Sequence, residues 1–184
     1  MSHPAYTQRE AQSRQTFLAL MWSLSYPGRI HNLYENVPAF DAISEALLDI
    51  ETSFYTSDES LITTFSKNGA KVLTPDRAAY HFYPHLTSTL LDTVTEASIG
   101  TLMYPDQSAT LIIGATLGTG QLLSLSGPGI NPSTPTNIKI AGIPSEFWIL
   151  REKAIHYPRG WDIYFVDDKR VLGIPRTTTV VVEE

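Results

Sequence analysis

Ala109-Thr110-Leu111-Ile112-Ile113-Gly114-Ala115, near the middle of the chain, constrains the fold more strongly than any other stretch. This run is almost continuously apolar, whereas a strand with one solvated face would alternate apolar and polar positions. Unbroken runs of this kind are typical of strands that are buried on both faces of a covered sheet. The stretch therefore predicts the central strand of a layered domain.

The residues after this run predict further strands. A glycine-rich segment, residues 114–120, leads into the alternating residues 121–126, so we predict that the two strands form a hairpin. The segment does not predict a phosphate-binding loop, because it lacks the G-x-G-x-x-G spacing, a Lys-Ser/Thr ending and a following helix. Residues 161–166 and 171–174 predict a second antiparallel hairpin. Shorter β runs occupy residues 138–140 and 178–182.

Before the central run, the apolar residues alternate between helical and strand periods. Thr7 and Glu10 form a capping-box pattern, which predicts the start of a helix that ends at Tyr26-Pro27-Gly28. Apolar positions at i, i+3, i+4 and i+7 predict its buried face, namely Phe17, Leu20, Met21 and Leu24. A second helix is predicted to bury Phe40, Ile43, Leu47 and Ile50. Strands are predicted at residues 29–34, 52–56 and 71–73.

Further helices are predicted at residues 58–68, at residues 86–97 and from Ser145 onward. This alternation of helices and strands favours an α/β domain over an all-β barrel or a helical bundle. We predict one domain over residues 1–184, with three layers (α/β/α), a mixed central sheet and residues 1–6 as a disordered tail.

The composition excludes several classes of protein. Charged residues make up 17% of the 184 residues, and the formal net charge is -6. The thirteen Lys and Arg residues are scattered, which argues against binding to nucleic acid. Without cysteine there is no disulfide scaffold, thiolate zinc site, iron–sulfur cluster or cysteine nucleophile. Since no stretch resembles a signal region or approaches the roughly 18 apolar residues of a membrane span, we expect a cytoplasmic protein that contacts no membrane.

No set of residues predicts catalysis, a cofactor or a metal ion. His81 and His85 have the spacing of neighbours on a helix, but Pro84 stands between them and would interrupt it. We therefore predict that His81 lies in a strand beside Phe82 and Tyr83. A serine in a G-x-S-x-G turn is also missing. The predicted catalytic, cofactor-binding and metal-binding sets are accordingly empty.

The segment Ile174-Pro175-Arg176-Thr177-Thr178 places an arginine and two hydroxyl groups directly after a predicted core strand. An arginine at a strand end can bind a phosphate or carboxylate through two parallel hydrogen bonds. It can equally form a structural salt bridge or contact a partner subunit. The candidate anion or interface contacts are Arg29, Arg176, Thr177 and Thr178. The predicted structural turns contain Pro27, Gly28, Gly127, Pro128, Gly129 and Pro175.

Four segments, in order along the chain, resemble the PhnH family of the carbon–phosphorus lyase system for phosphonate degradation. Residues 25–30 follow a helix that contains Thr16-Phe17 and Leu20-Met21, and they are similar to that family's S-x-P-G turn. Residues 123–130 resemble its L-x-L-x-G-x-G-I segment. Residues 157–162 resemble F-P-x-G-x-D, with Tyr157 in place of phenylalanine. Residues 174–180 resemble I-P-R-T-T-x-V, whereas residues 35–101 carry little signature.

The resemblance implies a fold like the large domain of pyridoxal-phosphate-dependent transferases, without that cofactor. It also implies a complex with the G, I and J subunits, which joins an alkylphosphonate to the ribose of a purine nucleoside triphosphate and displaces the base. On this basis we expect an accessory, non-catalytic subunit that forms a homodimer and docks a catalytic neighbour.

Two alternatives to the accessory role are open. The first is a stand-alone phosphate-binding, nucleotide-binding or transferase domain that uses Arg176 and Arg29 to hold an anionic group. The second is a pyridoxal-phosphate enzyme, although none of the five lysines stands in a motif for a Schiff base.

Overall fold

A computed structural model describes residues 7–134 and 136–183, so the tail predicted for residues 1–6 lies outside the described part of the chain. The α-helices in this part are α1 (Gln8–Ser25), α2 (Ala39–Leu47), α3 (Glu59–Phe65), α4 (Leu91–Glu96) and α5 (Ser145–Ala154). The strands are β1 (Ile30–Asn32), β2 (Ser53–Tyr55), β3 (Lys71–Val72), β4 (Tyr80–Tyr83), β5 (Thr110–Gly114), β6 (Thr116–Ser126), β7 (Thr136–Ala141), β8 (Asp162–Asp167), β9 (Arg170–Ile174) and β10 (Thr179–Val182).

Seven of these strands form a mixed sheet in the order β1-β9-β8-β5-β4-β2-β3. Strands β8, β5, β4, β2 and β3 run parallel to one another, whereas β1, β9 and β8 pair antiparallel. Strand β5 lies at the middle of the sheet, and Leu111, Ile112 and Ile113 are fully buried. The predicted central strand and the predicted β8–β9 hairpin are therefore confirmed, as is the strand that holds His81.

The two faces of this sheet contact different hydrophobic clusters. Ile112 packs in the cluster formed with helices α1, α2 and α3. Leu111 and Ile113 face the opposite way, into a cluster formed with α4, α5 and a second sheet of order β10-β6-β7. The predicted α/β class with a mixed sheet is confirmed. The third layer, however, combines two helices with a three-stranded antiparallel sheet.

The hairpin predicted between residues 109–115 and 121–126 is wrong, because β5 and β6 belong to different sheets. The chain leaves the large sheet at Gly114, where a Cβ atom would lie 2.0 Å from the carbonyl oxygen of Pro84. The glycine-rich segment then continues as the first half of β6, which pairs with β7 across a register shift between Leu117 and Gln121. Glycine spacing indicated a turn here, but the residues form a bulged strand, which glycine also favours.

Helix α1 begins at the predicted capping box, where Thr7 Oγ1 accepts a hydrogen bond from the backbone N–H of Glu10. Its predicted buried face is confirmed for Leu20 and Leu24 and wrong for Phe17 and Met21, in whose place the helix buries the small residues Thr16, Ala19 and Ser23. Phe17 and Met21 are 51% and 38% exposed. Small residues face the sheet because the helix backbone approaches it closely: a Cβ atom on Gly173 would lie 2.6 Å from the carbonyl carbon of Ser23.

The predicted inner face of α2 is correct for Ile43 and wrong for Ile50, which is 73% exposed. The helix ends at Leu47, so Ile50 lies beyond it in a turn. None of the helices in the described part of the chain is both long enough and apolar enough to cross a membrane.

Candidate functional site

The predicted turns come together at one end of the molecule. Gly127 and Gly129 have φ angles of 135° and 82°, which favour glycine. A Cβ atom on Gly127 would lie 2.8 Å from the carbonyl oxygen of Thr177, and one on Gly129 would lie 2.6 Å from that of Ser25. The Gly127-Pro128-Gly129 turn therefore contacts both the end of α1 and the segment that precedes β10, which are distant in sequence.

The end of α1 is itself fixed against the second sheet. Pro27 is buried, and Gly28 has a φ of 84°. A Cβ atom on Gly28 would lie 2.6 Å from Cγ2 of Thr136 and 3.2 Å from Cδ1 of Leu125. The S-x-P-G turn thus packs on strands β6 and β7.

Arg176 is held by groups of its own chain. Its Nη2 lies 2.6 Å from Oδ2 of Asp162, its Nε lies 3.3 Å from Oδ1, and its backbone N–H donates to the same Oδ1 at 2.8 Å. Its Nη1 donates to the carbonyl oxygen of Pro105. The side chains of Arg176 and Asp162 are only 18% and 22% exposed. Of the roles considered for Arg176, the geometry shows the structural salt bridge.

A cleft of about 520 Å³ lies between the end of α5 and the segment that leads into β10. This volume is in the range of small-molecule sites. Four residues singled out in the sequence line it: Pro128, Arg176, Thr177 and Thr178. The other lining residues are Trp148, Arg151, Glu152, Ile155, Tyr157, Thr179 and Val180.

Arg151 projects from α5 and is the most unusual side chain of this cleft. It is only 4% exposed, and its Nη2 donates to the carbonyl oxygens of Pro175 and Thr178 at 3.1 and 3.0 Å. Burial lowers the pKa of its guanidinium to about 10, although the negative charge of Asp162 acts in the opposite direction. The group therefore stays positively charged at neutral pH.

Three cleft side chains carry buried polar atoms that have no hydrogen-bond partner. They are Nε1 of Trp148, Nε of Arg151 and Oγ1 of Thr178. The residues are 6%, 4% and 2% exposed, so solvent does not replace the missing partners. Buried polar groups in native proteins are nearly always paired, and an unpaired one is costly. The lining of the cleft thus includes three unsatisfied hydrogen-bond donors, one of which belongs to the charged Arg151.

Sequence reasoning missed Trp148 and Arg151 as site residues. A signal for Arg151 was present, because it falls on the same side of the predicted helix as Phe147, Leu150 and Ala154. An arginine at an apolar position of an amphipathic helix indicates a buried charge with a specific purpose. The identity of its partners depends on residues 175–178, which lie 24 or more positions away along the chain.

Arg29, another candidate contact, lies at a different surface. Its Cζ is 5.0 Å from the centre of the Tyr26 ring, and that ring stacks on Trp22 at 5.6 Å. Trp22 and Tyr26 belong to an exposed apolar surface that we call the α1 stripe. Its members, each 37 to 51% exposed, are Phe17, Leu18, Met21 and Trp22 on α1, and Tyr26 and Ile30 beyond the end of the helix. Arg29 therefore marks the end of this α1 stripe.

The two histidines with helical spacing, His81 and His85, lie in different environments. His81 is fully buried, and its Nδ1 lies 3.1 Å from the hydroxyl of Tyr83. His85 is exposed. Over residues 7–134 and 136–183 no three His, Asp or Glu side chains come together in a way that could hold a metal ion.

Comparison with known proteins connects this architecture with phosphonate metabolism. Residues 4–181 match the family described as "Bacterial phosphonate metabolism protein (PhnH)". A "Putative C-P lyase subunit protein HtxG" from Stutzerimonas stutzeri is 31% identical over 180 residues, which cover 93% of this chain and 87% of that protein. The "Alpha-D-ribose 1-methylphosphonate 5-triphosphate synthase subunit PhnH" of Rhizobium meliloti (strain 1021) is 41% identical over 86 residues, or 44% of this chain and 40% of that protein. The resemblance seen in the four sequence segments is confirmed, and the chain belongs to the PhnH family of bacterial phosphonate metabolism proteins.

Proposed function

We propose that this chain is an accessory, non-catalytic subunit of a carbon–phosphorus lyase complex, at the step that forms α-D-ribose 1-methylphosphonate 5-triphosphate. The observation that carries the proposal is the family match over residues 4–181. It is supported by two relatives whose names describe a C-P lyase subunit and a subunit of the triphosphate synthase. The proposed partners are the G, I and J subunits and a second copy of the chain.

The α1 stripe supports a role in assembly. Phe17, Met21, Trp22 and Tyr26 are large apolar side chains that the chain itself leaves exposed on one helix face. Aromatic residues and Met are enriched in the centres of protein interfaces, where charged residues are depleted. We assign this stripe to contact with a neighbouring subunit of the complex, with Arg29 at its edge.

The test is co-expression of the chain with the G, I and J subunits, followed by purification through a tag on a different subunit. We expect the wild-type chain to co-purify, and Met21→Glu to be lost because it places a charge in the centre of the stripe. The matched control is Met103→Glu, at a methionine that is 81% exposed in a loop between α4 and β5. Loss of both variants, or of neither, would contradict the assignment of the stripe.

The accessory role itself is tested with the purified chain, methylphosphonate and a purine nucleoside triphosphate. We expect no release of the free base, because the chain contributes no catalytic residue under this proposal. Turnover by the chain alone would overturn it. Light scattering on the same sample tests the proposed homodimer, and a monomer at all accessible concentrations would exclude it.

The parallel run of β8, β5, β4 and β2, covered on both faces, supports the further proposal of a fold like the large domain of pyridoxal-phosphate-dependent transferases. The lysines do not fit the cofactor. Lys169 donates from Nζ to the carbonyl oxygen of Val37 at 2.8 Å, and the remaining four, Lys67, Lys71, Lys139 and Lys153, are exposed. A Schiff-base lysine needs an enclosed site that holds the cofactor. We expect no Schiff-base absorbance after incubation with pyridoxal phosphate and removal of the excess.

A further inference from the structure

We propose that the cleft between α5 and the segment before β10 binds the oxyanion group of a small organic ligand, and that Arg151 supplies the charge that holds it. An oxyanion here means a phosphate, a phosphonate or a carboxylate. The proposal is independent of the accessory role, because it concerns binding by the chain alone and assigns no chemical step.

The two arginines of the cleft differ in how their charges are balanced. Arg176 is neutralised by Asp162, as its distances show. Arg151 is more deeply buried, yet the groups that accept its hydrogen bonds are the neutral carbonyl oxygens of Pro175 and Thr178. Asp162 favours the charged form of Arg151 electrostatically, but its carboxylate binds Arg176 directly. No carboxylate of the described residues forms a salt bridge with the Arg151 guanidinium, so this buried charge favours an anion in the cleft.

The unpaired polar atoms of the lining also favour an oxyanion. Nε of Arg151, Nε1 of Trp148 and the hydroxyl of Thr178 can all donate hydrogen bonds, and none has a partner. An oxyanion accepts several hydrogen bonds at once and is the ligand that suits a cluster of donors around a positive charge. Buried donors without a partner are rare in native proteins, and three of them line this one cleft.

The size and lining of the cleft favour an organic ligand. Its volume of about 520 Å³ exceeds that needed for an isolated oxyanion. Ile155, Tyr157 and Val180 supply apolar and aromatic surface to the lining. The lining also contains Glu152, which is exposed. This combination fits an organic group attached to the anion and disfavours a bare inorganic ion.

The experiment titrates the full chain separately with methylphosphonate, inorganic phosphate, ATP and acetate, and follows the indole N–H signals by NMR. The three tryptophans differ in a useful way: Trp148 Nε1 is unpaired, Trp161 Nε1 donates to the carbonyl oxygen of Ala97 at 3.1 Å, and Trp22 is exposed on α1. We expect a saturable shift of the Trp148 signal with at least one organic probe, a weaker response to inorganic phosphate, and no shift for Trp161. The four probes separate phosphonate, phosphate, nucleotide and carboxylate as the preferred form of the anion.

Two variants test the residues. Arg151→Met keeps much of the side-chain volume and removes the charge, and we expect it to weaken binding about tenfold or more. Thr178→Val removes only an unpaired hydroxyl, so we expect weaker binding with no loss of thermal stability. The matched control is Thr16→Val, since Thr16 is equally buried and its hydroxyl is also unpaired, but it lies on α1 away from the cleft. Thr16→Val is expected to leave binding unchanged.

The proposal is overturned if none of the four probes shifts the Trp148 signal at millimolar concentration. It is equally overturned if a probe binds and both Arg151→Met and Thr178→Val retain wild-type affinity. Should Arg151→Met fail to fold, Thr178→Val against Thr16→Val still decides the matter, because neither change removes a hydrogen bond of the folded chain.

Discussion

At the scale of single residues, His81 shows how position in the sheet sets chemistry. It lies in β4, next to the central strand, with no exposed surface. Burial lowers the pKa of its imidazole to about 4, while hydrogen bonds to backbone groups of Ala78 and Pro75 act in the opposite direction. The residue is therefore a neutral core histidine at physiological pH.

This pKa predicts an acid-sensitive stability. Between pH 6.5 and about pH 4 the unfolded chain binds a proton at His81 that the folded chain does not bind. The neutral His81 therefore costs no stability above pH 6.5. As the pH falls from 6.5 toward 4, the free energy of unfolding decreases by about 3 kcal/mol. His81→Gln is expected to flatten this pH dependence, measured by urea denaturation at a series of pH values. His85→Gln, at an exposed residue, is the control, and an unchanged slope in His81→Gln would refute the prediction.

At the scale of the elements, the packing of α1 on β9 determines which side of the helix remains exposed. The backbone of Ser23 and Leu24 approaches Gly173 so closely that a Cβ atom there would lie 2.6 to 2.8 Å from three helix atoms. Only small side chains fit at this point of closest approach. Leu20 still packs in the core, whereas Phe17, Leu18, Met21 and Trp22 face outward and belong to the α1 stripe.

Gly173→Ala tests this close packing. We expect the added methyl group to push α1 away from β9 and to lower the free energy of unfolding by about 3 kcal/mol, measured by chemical denaturation. Gly118→Ala is the control, because a Cβ atom at Gly118 meets nothing within 4 Å. Its φ of 95° still imposes backbone strain of about 1 kcal/mol on alanine. Equal losses in the two variants would show that α1 does not depend on this approach.

At the scale of the whole molecule, one hydrophobic cluster connects the two sheets. Leu123 and Leu125 of the small sheet pack together with Leu111, Ile163 and Phe165 of the large one. The small sheet buries its apolar face in the cluster that it shares with the large sheet, so we infer that the two sheets unfold together. The low charge content of 17% agrees with the proposed role in assembly, because the apolar α1 stripe is the surface that we propose for contact with a partner subunit.

Leu125→Ala tests this shared core. Removing the buried side chain is expected to cost about 3 kcal/mol. The protection of the β5 and β6 amides against hydrogen exchange should fall by the same amount, since the two sheets share one cluster. The control is Leu102→Ala, at a residue that is 73% exposed, for which we expect no change. Faster exchange confined to β6 would show that the small sheet opens independently.

Local chemistry made several features predictable from sequence. The capping box of Thr7, the unbroken apolar run of β5 and the β8–β9 hairpin all depend on neighbouring residues, and each is confirmed. The faces of α1, the separation of β5 from β6 and the surroundings of Arg151 depend on distant residues, and the pattern of the chain did not reveal them.

Short motifs and backbone preferences are encoded locally, so the amino-acid sequence was sufficient to establish the family, the alternation of helices and strands, and the turns at Gly28, Gly127 and Gly129. Tertiary packing was needed to reveal that Asp162 neutralises Arg176 and that Arg151 is buried with backbone carbonyl oxygens as its hydrogen-bond acceptors. The physical reason is that burial and ion pairing belong to the folded chain. They arise when α5, β8 and the segment before β10, far apart in sequence, meet around one cleft.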